Sequence, residues 1–94
     1  MARTFRLLAT PGYQRDVRTA TKHNPALIST IARLQAILQE DPYNTSQKHS
    51  IKRLAGVKRG EGQWRIRAGI FRLRYDITGN DVTLYSFKHR KEAY

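Results

Sequence analysis

GQWRIRAGIFRLRYDI, from Gly62 to Ile77, alternates apolar and polar residues and decides the fold. Trp64, Ile66 and Ala68 fall on one side; Gln63, Arg65 and Arg67 fall on the other. After Gly69, which reads as a turn or bulge, Phe71, Leu73, Tyr75 and Ile77 alternate with Arg72, Arg74 and Asp76. Successive side chains of a strand point to opposite faces, so the pattern predicts two strands with one apolar face each. Thr78-Gly79-Asn80-Asp81 supplies a hairpin turn, because Gly and Asn tolerate positive φ. Val82 to Phe87 then reads as a third strand of the same meander.

Upstream, the apolar spacing is different. Thr4 to Ala9 reads as a strand, with Phe5 and Leu7 alternating against Thr4, Arg6 and Leu8. Thr10-Pro11 follows: a capping side chain and then a proline, whose missing N–H suits a helix's first turn. Tyr13, Val17 and Ala20 form one stripe of that helix. Asn24-Pro25 repeats the signature and opens a second helix, with Ile28, Ile31, Leu34 and Leu38 on the expected core face. Asp41-Pro42 stops it, and Tyr43 to Ile51 reads as a loop. Lys52 to Gly56 is a short strand or turn, and Val57 to Gly62 a second loop. The expected architecture is therefore α+β, in the order β-α-α-β-β-β, with a two-helix hairpin on one face of a mainly antiparallel sheet. Residues 1–94 are read as a single domain.

Eighteen Lys and Arg against seven Asp and Glu give a net charge of +11. The surplus is uneven: residues 1–47 carry six basic and three acidic groups, residues 48–94 twelve and four. Such a surplus calls for a polyanionic partner. There is no cysteine, which excludes disulfides and thiol chemistry. No apolar run is long enough to cross a bilayer, so no membrane partner is expected and the protein is read as cytoplasmic. The three histidines, His23, His49 and His89, are far apart in sequence and carboxylates are few, so neither a metal nor another cofactor is expected.

The alternation places Arg65, Arg67, Arg72 and Arg74 on one sheet face, with cross-strand neighbours about 5 Å apart. A solvated face mixes signs; four clustered guanidinium groups make a phosphate cradle, each able to bind oxygens bidentately. Lys52, Arg53, Lys88 and Lys91 are further candidates for RNA contact, together with Arg74. In a meander, the end of the last strand is expected to return toward the Arg65 strand and complete the basic site with Arg90 and Tyr94. His89 is a secondary acid–base candidate. Tyr94 offers a ring for stacking on a base.

These residues resemble the RelE/ParE superfamily of toxins from type II toxin–antitoxin modules. The resemblance runs through TPGYQRDV after the first strand, Leu54 and Gly56, the segment from Gly62 to Ile77, and HRKEAY from His89 to Tyr94. It covers almost the whole chain in one order. It implies the RelE-like branch: a ribosome-dependent mRNA endonuclease cutting in the A site by metal-free 2′-OH attack, thereby inhibiting translation. In that branch, residues matching Arg65, Arg67 and Arg72 bind the scissile phosphate region. Arg90 matches an arginine that stabilises the transition state, and Tyr94 an aromatic that stacks on the mRNA. The resemblance also implies a cognate antitoxin, and operator DNA binding through the toxin–antitoxin complex. Arginines stand here at two positions where the best-known pattern has lysines, and arginine is a poor general base. Two alternatives stay open: a ParE-like inhibitor of DNA gyrase on the same fold, and a non-catalytic RNA- or ribosome-binding module.

Overall fold

The computed structural model describes residues 4–91. Seven elements follow one another: β1 (Arg6–Ala9), α1 (Pro11–His23), α2 (Leu27–Glu40), β2 (Ile51–Arg53), β3 (Trp64–Ala68), β4 (Phe71–Thr78) and β5 (Asp81–His89). They form two helices on a five-stranded sheet of order β1-β5-β4-β3-β2. All neighbours are antiparallel except β1 and β5, where Arg6 lies beside Asp81 and Ala9 beside Leu84. A parallel pair needs a long crossover, and the helical hairpin begins that connection. The architecture is the expected α+β one, with β2 added as a short edge strand.

Local chemistry accounts for the helix ends. The Thr10 hydroxyl accepts a hydrogen bond from the Tyr13 N–H (3.2 Å) and donates to the Leu84 carbonyl (2.8 Å), so one side chain caps α1 and ties it to β5. Asn24 terminates α1 and does not cap the next helix with its side chain. α2 begins after a tight turn in which the Leu27 and Ile28 N–H groups bond the carbonyls of Asn24 and Pro25. Only the first position of the expected stripe changes. Leu27, Ile31, Leu34 and Leu38 are buried, whereas Ile28, expected in the core, is 62% exposed. Residue 28 is a quarter-turn round from residue 27, and Leu27 takes the inward position.

The core lies between the helices and one face of the sheet. Leu34, Leu38, Ile66, Leu73, Tyr75 and Val82 are essentially inaccessible to solvent. The Tyr75 hydroxyl donates to the Pro42 carbonyl (2.7 Å), which satisfies the one polar atom this ring brings into the core. Burial, and then the charge of Asp41, push that phenol far above the usual tyrosine range. Past α2, Asp41 organises the loop by accepting from the Thr45 and Ser46 N–H groups and the Ser46 hydroxyl. Burial alone would raise the Asp41 pKa; the bonds from Ser46 and Thr45 and the nearby His49 outweigh it and hold the carboxyl below its ordinary value.

β5 changes register once. Arg74 lies opposite Ser86 and Tyr75 opposite Leu84, which leaves Tyr85 as an extra residue. β1 pairs β5 only as far as Leu84; beyond it α1 packs beside β5. There Asp16 of α1 accepts the Phe87 N–H (3.1 Å) and pairs with the Lys88 ammonium (3.2 Å).

Candidate nucleic-acid interface

The face of β2, β3 and β4 turned away from the helices is cationic. Register sets Lys52 opposite Arg65 and Arg65 opposite Arg74. A second row runs Arg67, Arg72, Lys88. Two hollows open there. The larger, about 330 Å³, is lined by Lys52, Arg53, Arg65, Arg72 and Arg74, with Leu54, Ala55 and Val57. The smaller, about 170 Å³, is lined by Ser50, Ile51, Lys52, Arg65 and Arg67. Neither lining includes a carboxylate. Like charges packed this closely repel, and an anion between them relieves that repulsion.

The arginines of this face are not equivalent. Arg72 is only 8% exposed. Its Nη1 donates to the carbonyls of Gly69 (3.0 Å) and Phe71 (3.2 Å), while its Nε is buried with no hydrogen-bond partner among the described residues. The guanidinium is thus held through Nη1, at the cost of a buried Nε–H left unpaired among the described residues. Arg67 is exposed, at the same end of the sheet. Arg74 instead holds a loop, since its Nε and Nη2 both donate to the Gly62 carbonyl (3.1 and 3.0 Å). Gly62 has φ +83°, and a Cβ there would lie 2.8 Å from the Arg74 Cβ. Only glycine fits so tightly under this clamp.

Asp76 completes the clamp and was not singled out by sequence reasoning. It is buried, and its carboxylate accepts the N–H groups of Gly60 (2.5 Å) and Gln63 (2.6 Å). The Tyr85 hydroxyl also bonds it; burial first, then the charge and hydrogen bond of Asp76, raise the Tyr85 pKa. The Gly-rich loop before β3 is therefore pinned to β4 by two side chains of the open face. An acid alternating with Arg72 and Arg74 along β4 was the available signal.

The other candidates are dispersed. Lys88 is engaged with Asp16 on α1. The Arg53 guanidinium carbon lies 5.8 Å from the Trp64 ring centre, a cation–π contact, although Arg53 also lines the larger hollow. The end of β5 does not return to the Arg65 strand, because β4 lies between β5 and β3. His89 pairs with Phe71, meets its ring edge-on, and accepts the Lys91 N–H at Nδ1 (3.2 Å). It lines a separate hollow of about 390 Å³ with Phe71, Phe87 and residues of α1. Neither hollow of the cationic face includes it. The Arg90 N–H bonds the Ile70 carbonyl (2.7 Å), which anchors Arg90 to the turn whose Gly69 carbonyl holds Arg72. Lys91 is exposed, and Tyr94 lies outside the described residues. Among the described residues no three His, Asp or Glu side chains gather as metal ligands, and no helix is long and apolar enough to cross a membrane.

No family model and no curated protein matches the chain. Among solved structures, it is similar to a chain of the RelB–RelE antitoxin–toxin complex from Methanococcus jannaschii. The identity is 25% and the TM-score 0.64, over 93% of this chain and 94% of the other. The fold is RelE-like.

Proposed function

We propose that this chain is the toxin of a toxin–antitoxin pair and acts as a metal-free endoribonuclease on mRNA held by the ribosome. The observation that carries the reading is the pair of carboxylate-free hollows that share Lys52 and Arg65, with Arg67 lining one and Arg72 the other, on a fold shared with a chain of an antitoxin–toxin complex. Arg65, Arg67 and Arg72 bind the scissile phosphate. The ribose 2′-OH attacks the phosphorus, the P–O5′ bond breaks, and the products carry a 2′,3′-cyclic phosphate and a 5′-OH. Negative charge grows on the phosphoryl oxygens during attack, and fixed guanidinium groups stabilise it there. Arg72 suits that role because its side chain is already oriented by Gly69 and Phe71. Arg90 adds charge from beside the same turn, and Tyr94 stacks on a base. With arginine a poor proton acceptor, rate enhancement rests on electrostatics and alignment. The partners are an antitoxin, the ribosome with mRNA in its A site, and operator DNA through the toxin–antitoxin complex.

Primer extension on a reporter mRNA after induction in cells tests this. Codon-phased cuts that disappear in Arg72→Ala and Arg90→Ala are expected. Intact mRNA with DNA-damage signalling would replace the reading by gyrase inhibition. Intact mRNA without it would leave a binding module.

A further inference from the structure

The two hollows of the cationic face share a wall but not a chemistry. Lys52 and Arg65 line both. The larger adds an apolar shelf of Leu54, Ala55 and Val57 beside Arg53, Arg72 and Arg74; the smaller adds Ser50, Ile51 and Arg67 and has no such shelf. A phosphate gains nothing by covering leucine and valine, whereas a base or a ribose face does. At about 330 Å³ the larger hollow falls in the size range of small-ligand pockets, and the smaller, about 170 Å³, falls below it.

The apolar shelf is also held in place. The Leu54 N–H donates to the Gln63 carbonyl (2.8 Å), and Gln63 Nε2 donates to the Val57 carbonyl (3.0 Å). Gln63 is in turn fixed through its own N–H by Asp76. Both ends of the shelf thus refer back to the strands that carry the arginines, and little ordering remains for a ligand to impose.

We infer that this face divides one nucleotide between its two hollows. The base and ribose rest on Leu54, Ala55 and Val57, and the adjoining phosphate, the scissile one, sits between Ser50, Lys52, Arg65 and Arg67, with Arg72 opposite Arg67 across the register. The assignment rests on the RNA-directed reading above and narrows it to single strands, since a duplex keeps its base faces stacked on neighbouring pairs.

Amide-shift NMR titrations of the chain with inorganic phosphate, adenosine and adenosine 5′-monophosphate test the division. Phosphate should move Ser50, Lys52 and Arg67 and leave Ala55 and Val57 in place. Adenosine should move Ala55 and Val57 and leave Ser50 and Arg67 in place. The monophosphate should move both sets and bind about tenfold more tightly than phosphate, the gain expected for covering roughly 50 Å² of apolar surface. Val57→Ser should remove most of that advantage without changing phosphate affinity. Ala55→Gln, at an exposed position, should do the same by filling the shelf. Lys52→Ala should weaken both phosphate-bearing ligands. Equal affinity for those two ligands, monophosphate shifts confined to the cationic residues, or unchanged preference in both shelf variants would overturn the inference. Divided binding in a protein that cuts no mRNA would overturn the nuclease reading alone. Cleavage with undivided binding would overturn this assignment alone.

Discussion

β3 and β4 present two faces built from alternate residues of the same strands, and the faces obey opposite rules. On the helix side, Ile66, Leu73 and Tyr75 are buried, and Tyr75 finds a partner for its one polar atom. On the open side, cations face cations across the register, and the buried Arg72 keeps a donor unused among the described residues. The first face lowers the free energy of the fold by removing apolar surface from water. The second raises it by repulsion and by partial burial of charge. Sites of function concentrate such local cost, and here the two contributions are one residue apart along the chain.

The largest effect should come from the helix side. Leu73→Ala removes a fully buried side chain and should lower the unfolding free energy by about 2–5 kcal/mol in a denaturant titration. A loss below about 1 kcal/mol would mean that the face is less tightly packed than its burial implies. The neighbouring residue should behave in the opposite way. Arg72→Ala should cut RNA cleavage in a translating extract by roughly 100-fold or more, with a smaller stability change than Leu73→Ala, since it deletes a costly buried cation as well as its hydrogen bonds. An active Arg72→Ala protein would break the contrast between the faces.

Asp76→Asn probes the place where both rules meet. It leaves the N–H groups of Gly60 and Gln63 short of a charged acceptor, at a cost of about 1–3 kcal/mol, and should raise hydrogen exchange in the loop before β3. Unchanged exchange there would remove Asp76 from the positioning of the shelf. The smallest effect should be acid-dependent and remote from both faces. Asp41 has a folded pKa below its unfolded one, so its contribution is present above the unfolded value, about 4, and is lost as pH falls through the folded value. Amide protection at Thr45 and Ser46 should drop over that window and stay unchanged in Asp41→Asn.

The meander and its two faces were legible because alternation is local: each residue declares its side by its distance from the last. The helical hairpin was legible for the same reason, except at Ile28. There, Leu27 takes the first buried position, and sequence spacing alone does not say which of two adjacent apolar residues leads. β2 carries no pattern, because three residues are too few for a period. The partners of Arg74 and Lys88 were hidden for another reason. One bonds a backbone carbonyl, which no side-chain motif advertises, and the other an acid 72 residues away. The sequence pattern placed arginines on a face; only the fold shows that one of them, Arg74, holds a loop while it lines a hollow.

The parallel pairing of β1 with β5 also sets an order of events during synthesis. Arg6 meets Asp81, 75 residues further on, so β1 waits for its sheet neighbour while both helices and three strands are made. β5 lies between β1 and β4 and contributes Val82, Leu84 and Phe87 to the core. Pairings so distant in sequence form slowly. A nascent chain of this protein therefore emerges with Arg65, Arg67, Arg72 and Arg74 in hand but without the interior strand that pairs with β4. The cationic face is assembled only once β5 has left the machine that makes it.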